Sequence, residues 1–113
     1  MLLKPGNILL YNSAVDMRKS IDGLSILISS FDKNPSEGIY IFYNRVFDKV
    51  KILYFDEGGF CLFYKRLERG IFRIPDFGEE FYSLTASQLS YLLDGLDFSK
   101  LRKSSSKKYS IFY

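Results

Sequence analysis

The first third of the chain combines one short apolar run with one stretch of helical spacing. Ile8 to Tyr11 is a run of apolar residues, which predicts a strand. Between Asp16 and Phe31, apolar residues recur every three or four positions, a spacing that places them on one face of a helix. Asp16 or Ser20 is available to cap the start of this helix. This part of the sequence therefore predicts a strand followed by a helix.

The middle of the chain changes to runs that are rich in β-branched and aromatic residues. A polar loop at residues 33–38 precedes them. Three runs are predicted to be strands: Ile39 to Asn44, Lys49 to Phe55 and Phe60 to Leu67. Residues 45–48 and 56–59 form four-residue connections, which favour hairpins and an antiparallel meander. Two further strands are expected at Ile71 to Ile74 and Glu80 to Ser83.

The second helix is marked at both of its ends. Thr85 and Gln88 have the spacing of a capping box, and Leu84 and Leu89 that of a hydrophobic staple. Gly95 stands where the chain needs a left-handed residue to end the helix. The predicted fold class is α+β, with an antiparallel meander of about five or six strands and two α-helices.

The length of 113 residues suits a single domain. We expect this domain to span residues 1–98, with a basic tail rich in Ser and Lys at residues 99–113. The tail holds five bases and no acid, within a chain whose net charge is +3. Such a tail could lie along phosphates, or it could be a solvated segment that only aids solubility.

Cysteine and histidine usage narrows the possible chemistry. Cys61 is the only cysteine and the chain has no histidine, so neither an internal disulfide nor a zinc ribbon is expected. Cys61 lies in an apolar run and is read as a core residue. No metal and no cofactor are predicted. The sequence also has no apolar run near the ~20 residues needed to span a bilayer and no secretory signal pattern, so a cytoplasmic protein without membrane contact is expected.

Symmetric pairing of the two hairpins assigns each side chain of the meander to one face of the sheet. The apolar face is expected to form the main core against the helices: Ile39, Ile41, Tyr43, Val50, Ile52, Tyr54, Cys61 and Phe63. The opposite face mixes aromatic and polar residues: Tyr40, Phe42, Asn44, Lys49, Lys51, Tyr64 and Arg66. If this second face is open, it could bind nucleic acid, because rings stack on bases and cations neutralise phosphates. The alternative is an ordinary solvated face whose long basic side chains cover the rings.

Further bases lie outside these strands. Arg18 and Lys19 come in or just before the first turn of the first helix, where positive charge opposes the helix dipole, so an anion is expected nearby. That anion could be a phosphate or a neighbouring carboxylate. The bases around Glu68 could likewise form an ordinary surface charge network. The candidate DNA-binding residues are Arg18, Lys19, Lys49, Lys51, Tyr64, Lys65, Arg66, Arg69, Lys103, Lys107 and Lys108.

Three stretches, in this order, carry a resemblance to a known family. They are Asp16-Met17-Arg18-Lys19 with Asp22-Gly23-Leu24, then Lys49-Val50-Lys51-Ile52-Leu53 with Lys65-Arg66-Leu67-Glu68-Arg69-Gly70, then Ser83-Leu84-Thr85 with Gln88-Leu89, Leu92-Leu93 and Gly95. The chain resembles, over roughly residues 6 to 98, the TnpB-type accessory protein of the insertion-sequence-sixty-six family. Relatives usually have tryptophan where this chain has Tyr54, Phe55, Phe63 and Phe98, and they are richer in arginine at residues 45–48.

The resemblance implies a non-catalytic accessory factor in DNA transposition, with strand cutting and joining left to a separate transposase. Its expected partners are DNA and the cognate transposase, with no small-molecule substrate. Two alternatives remain open. One is a subunit that bridges transposase molecules without touching DNA. The other is a metal-dependent nuclease, which needs converging carboxylates; Asp56 and Glu57 instead lie beside glycines in a turn.

Overall fold

The computed structural model describes residues 7–100, which form one α+β unit. The strands within this range are Ile8–Ala14 (β1), Ile39–Tyr43 (β2), Lys49–Asp56 (β3), Gly59–Arg66 (β4) and Phe81–Leu84 (β5). The α-helices are Ile21–Ser29 (α1) and Ala86–Leu93 (α2), and single 3₁₀ turns lie at Pro35–Glu37 and Phe98–Lys100. The predicted fold class is confirmed.

The sheet has the order β4-β3-β2-β1-β5, and it is mixed rather than purely antiparallel. β1 runs parallel to β2, while the other neighbouring strands are antiparallel. The expectation of an all-antiparallel sheet was therefore wrong at one pair. The physical reason is the connection: α1 lies between β1 and β2 in the chain, and parallel neighbours need such a crossover whereas a hairpin makes antiparallel ones.

Both hairpins have the predicted register. Tyr43 lies opposite Val50 in the first hairpin, and Phe55 lies opposite Phe60 in the second. The second connection is shorter than predicted, because Asp56 and Gly59 belong to the strands and pair with each other. Only residues 57 and 58 form the turn, and both have positive φ angles, 43° and 85°. This is the geometry of a two-residue type I′ turn, which matches the twist of the flanking strands.

No strand forms at Ile71 to Ile74, so that prediction was wrong. Residues 67–80 connect β4 at one edge of the sheet to β5 at the other edge. A segment that crosses the strands in this way cannot pair alongside them. Phe72 is instead fully buried in the core, and its backbone N–H donates to the carbonyl of Phe47 over 2.7 Å.

The sheet is covered on both faces, each by its own apolar cluster. On one face α2 contributes Leu89 and Leu92 to a cluster that includes most of the predicted apolar face. On the other face Leu24 and Ile28 of α1 pack with a second set of buried side chains, namely Tyr40, Phe42 and Leu53. The sequence pattern predicted both helices on one face, and this prediction was wrong, because Tyr40, Phe42 and Leu53 give the second face apolar residues on which α1 packs. The main apolar face was assigned rightly, but the opposite face is closed over much of its area.

The ends of α2 agree with the sequence. The Thr85 hydroxyl accepts from the Gln88 N–H at 3.1 Å, and the Gln88 side chain accepts from the Thr85 N–H at 2.8 Å. At the other end Gly95 has a φ of 76°. The N–H groups of Gly95 and Leu96 donate to the carbonyls of Leu92 and Tyr91, which is the Schellman arrangement. Within α1, by contrast, Ser20 occupies the N-cap position without a side-chain bond.

Candidate nucleic-acid interface

Basic and aromatic side chains meet on the α1 side of the sheet, where β3 begins and β4 ends. Lys49 lies opposite Arg66, and Lys51 lies opposite Tyr64. α1 does not close this part, because the Tyr64 side chain remains 48% exposed. The prediction of an open aromatic face was wrong for Tyr40 and Phe42, which are 3% and 0% exposed beneath α1. The part of this face that stays accessible is the one that carries the bases, where β3 begins and β4 ends.

Lys51 joins this part of the sheet to the segment that precedes α1. Its ammonium group donates to the carbonyl oxygens of Met17 and Lys19, each over 2.7 Å. The same nitrogen lies 5.6 Å from the centre of the Tyr64 ring, within the range of a cation–π contact. Lys51 therefore positions the segment that carries Arg18 and Lys19 and holds it next to Tyr64.

Arg18 has an anion within the protein, because it pairs with Asp16. The guanidinium lies 2.6 Å from the Asp16 carboxylate, which also accepts from the Arg18 backbone N–H at 2.9 Å. These bonds lower the pKa of Asp16 from 3.8 to about 2. The pair is a surface pair, with the Arg18 side chain 90% exposed, and such pairs contribute little to stability because water screens them. The guanidinium therefore stays accessible to a second anion.

Two more of the predicted bases have carboxylate partners. Lys49 lies 3.2 Å from Asp48, whose other partner is the Asn44 amide at 2.7 Å. Hydrogen bonds from Asn44 first, and from Lys49, lower the pKa of Asp48. Arg66 lies 2.8 Å from Glu68 and lowers the pKa of that carboxyl. Of the surface charge network expected around Glu68, the pair with Arg66 forms, whereas the Lys65 ammonium bonds to a backbone carbonyl instead.

A groove of about 460 Å³ separates the β2–β3 loop from the segment before α1. It is lined by Ala14, Val15, Asp16, Met17, Asn44, Arg45, Val46 and Lys49. Arg45 was not among the predicted site residues, although its position in the loop next to Lys49 was a signal that could have found it. Neither Arg45 nor Lys19 forms an ion pair with another residue in the range 7–100.

We call the surface around this groove the basic end of the sheet. Its bases are Arg18, Lys19, Arg45, Lys49, Lys51 and Arg66, and the carboxylates paired with them are Asp16, Asp48 and Glu68. Six bases thus meet three carboxylates, which leaves an excess of positive charge. A second groove, on the β1–β5 side of the sheet, is lined by Asp76, Glu79 and Glu80 together with neutral residues. The charged residues that line the two grooves therefore differ: two bases and one acid in the first, and three acids in the second.

The remaining predicted residues lie elsewhere. Lys65 points to the opposite face, where its ammonium donates to the carbonyl of Leu93 over 2.5 Å. A cation there stabilises the C-terminal end of α2. Arg69 lies in an exposed bend after β4. Lys103, Lys107 and Lys108 fall outside the described residues.

Among residues 7–100, no three histidine, cysteine or acidic side chains converge as metal ligands would. No helix in that range is long and apolar enough to cross a membrane. Asp56 and Glu57, the acids named in the nuclease alternative, lie at the tight turn between β3 and β4.

The fold and this surface define a small α+β protein whose exposed chemistry is a cluster of bases around a groove. Residues 6–103 match the family model described as IS66 Orf2 like protein, and the chain belongs to this family. The resemblance found in the sequence is thereby confirmed, and it makes the protein an accessory protein associated with the transposition of insertion sequences.

Two similar proteins come from Sinorhizobium fredii (strain NBRC 101917 / NGR234). The protein named uncharacterized protein y4hO is 36% identical over 85 residues, which cover 74% of this chain and 74% of that protein. Uncharacterized protein y4jC is 28% identical over 103 residues, covering 89% of this chain and 88% of that protein. No solved structure matches the chain.

Proposed function

We propose that this protein is a non-catalytic accessory factor in DNA transposition that binds DNA through the basic end of the sheet. The observation that carries the proposal is the excess of bases over carboxylates around one groove. The predicted residues Arg18, Lys19, Lys49, Lys51, Tyr64 and Arg66 meet there, and Arg45 joins them.

The geometry suits a phosphate backbone. Lys51 is held by two carbonyl oxygens and in turn fixes the segment with Arg18 and Lys19, so these bases are positioned before DNA arrives. Ordering them on binding then costs less conformational entropy. In two of the pairs the base itself is exposed, Arg18 at 90% and Arg66 at 55% of its side chain, which leaves these guanidinium groups able to form further charge-assisted bonds with phosphate oxygens. Contacts of this kind fix orientation on DNA without reading its sequence.

Tyr64 adds a preference for unpaired DNA, which phosphate contacts alone cannot provide. Its ring is about half exposed beside Lys51. An unpaired base can stack on such a ring, and stacking contributes roughly 1–3 kcal/mol per base. We therefore expect single-stranded or locally unpaired DNA to bind more tightly than plain duplex.

The test measures binding of the purified full chain to duplex and single-stranded DNA at several salt concentrations. Arg45→Gln and Lys19→Gln are each expected to weaken binding to all sequences and to reduce the logarithmic salt slope by about one. The matched control is Lys33→Gln, which removes the same charge near β5, where Lys33 lies 5.0 Å from the Phe81 ring. It should leave the slope unchanged.

Changing Lys103, Lys107 and Lys108 together to Gln separates the predicted tail contribution from that of the domain. If these three changes abolish binding while Arg45→Gln and Lys19→Gln have no effect, the basic end is not the interface. Absence of binding at low salt, with co-purification of the transposase, would favour the bridging role instead. Nicking that depends on Mg²⁺ or Mn²⁺ and is lost when one carboxylate is changed would contradict the non-catalytic assignment.

A further inference from the structure

β4 forms one edge of the sheet and is eight residues long. It pairs with β3 along its whole length, from Gly59 opposite Asp56 to Arg66 opposite Lys49, without a bulge. In an antiparallel ladder, alternate residues turn their backbone N–H and C=O groups away from the partner strand. Because Asp56 and Gly59 flank a two-residue turn, they form a hydrogen-bonded pair. The residues whose backbone groups face outward are therefore Phe60, Leu62, Tyr64 and Arg66.

This edge lacks the features that usually prevent pairing with another chain. Such features are proline, a bulge, a short strand or charged residues along the edge. β4 has no proline, and residues 60–64 are Phe, Cys, Leu, Phe and Tyr. Its charges occur only at the end, at Lys65 and Arg66. The opposite edge differs, because β5 has only four residues.

Apolar surface accompanies the outward backbone groups. Phe55 is 42% exposed and its ring contacts that of Phe60 at 5.1 Å. Tyr64 is 48% exposed on the same face of the sheet. Cys61 and Phe63 are only partly buried on the other face. A strand added beside β4 would pack its own side chains against the flanks of these apolar side chains on both faces of the sheet.

We propose that β4 pairs antiparallel with β4 of a second copy of this chain, so that two five-stranded sheets become one continuous sheet. The charges at the two ends of β4 favour a second copy of the chain as the partner. The β3–β4 hairpin carries two acids where β3 ends and the turn begins, Asp56 and Glu57, whereas residues 65–69 at the other end of β4 hold three bases and one acid. Antiparallel self-pairing places the acidic turn of each copy beside the basic end of the other. Because the two copies are related by a two-fold axis, this attraction between acids and bases occurs twice. A parallel arrangement would instead place the acidic turns together and the basic ends together.

The backbone pattern also limits the register. Outward-facing residues have even numbers, and they must pair with outward-facing residues of the second copy. A two-fold axis therefore passes through a residue rather than between two residues. Leu62 and Phe63 are the residues nearest the middle of β4. Either position brings Arg66 within a few residues of the partner's acidic turn.

The first test is the mass of the full chain in solution without DNA, measured by light scattering and sedimentation equilibrium. We expect a dimer. Tyr64→Pro removes one outward N–H without removing a bond to β3, and proline is tolerated at such edge positions. It should convert the dimer to a folded monomer. The control is Tyr64→Thr, which also shortens the side chain but keeps the N–H and a residue that favours strands.

A charge exchange provides a second test that does not depend on tolerance of proline. Glu57→Lys and Arg66→Glu should each raise the dimer dissociation constant by about tenfold, because two symmetry-related attractions become repulsions. The double variant should return it toward the original value. A monomeric original chain would overturn the proposal, and so would a dimer that is indifferent both to Tyr64→Pro and to charge reversal. The mass is measured without DNA, so this result stands apart from the test of DNA binding.

Discussion

The contact between Asp16 and Arg18 shows how a single carboxyl organises the segment before α1. Asp16 accepts bonds from both the backbone and the side chain of Arg18. The charged form of the carboxyl is therefore favoured, and its pKa falls from 3.8 to about 2. A depressed folded-state pKa contributes stability above the unfolded value of 3.8, and this contribution is lost as the pH falls through about 2. The exposure of the pair keeps the effect small.

Arg18→Gln should raise the pKa of Asp16 toward 3.8, because the side-chain bond from Arg18 is the largest cause of the shift. The measurement is an NMR titration of the Asp16 carboxyl carbon in both proteins. Lys33→Gln serves as the control and should leave the titration unchanged. Equal pKa values with and without the Arg18 guanidinium would show that the pair does not form in solution.

The sequence predicted where the bases lie more successfully than what each ammonium contacts. Strand alternation placed Lys49, Lys51 and Arg66 on one face because that rule is local. The contacts of Lys51 with Met17 and of Lys65 with Leu93 span 34 and 28 residues along the chain. Such partners depend on how α1 and α2 pack on the sheet. No spacing rule could therefore have shown that these lysines bond to backbone carbonyls.

At the scale of the element, the termini of α2 are fully described by short-range chemistry. Its capping box and Schellman arrangement involve residues within a few positions of each other. For that reason the sequence was sufficient to predict both. The parallel pairing of β1 with β2 and the irregular path of residues 67–80 are different. Both depend on the order of the strands in the sheet, which is determined only when all of the strands assemble.

Gly95→Ala should destabilise the protein by ~1–2 kcal/mol, because a side chain disfavours the left-handed backbone. The cost would arise from the backbone alone, since an added Cβ at Gly95 would have its nearest neighbours at 3.9 Å. Urea denaturation followed by circular dichroism measures it. Gly23→Ala within α1 is the matched control and should instead stabilise by ~0.5–1 kcal/mol. A loss at position 23 equal to that at position 95 would contradict the explanation.

At the scale of the whole molecule, one sheet contributes side chains to two hydrophobic cores, one on each face. Phe42 and Leu53 turn toward α1, whereas Ile41 and Ile52 turn toward α2. These side chains alternate along the same two strands, so neither core can lose its packing without disturbing the backbone that supports the other. The basic end of the sheet depends on the α1 core, because α1 follows directly after the segment that Lys51 holds.

Leu24→Ala on the α1 side and Leu92→Ala on the α2 side should each lower the free energy of unfolding by about 2–5 kcal/mol, since both side chains are fully buried. The shared sheet predicts that each variant still unfolds in one transition, with the same midpoint by far-ultraviolet circular dichroism and by tyrosine fluorescence. Leu24→Ala should also weaken DNA binding relative to Leu92→Ala at equal loss of stability, because the segment before α1 loses its support. Two separate transitions, or equal losses of binding, would mean that the two faces of the sheet act independently of each other.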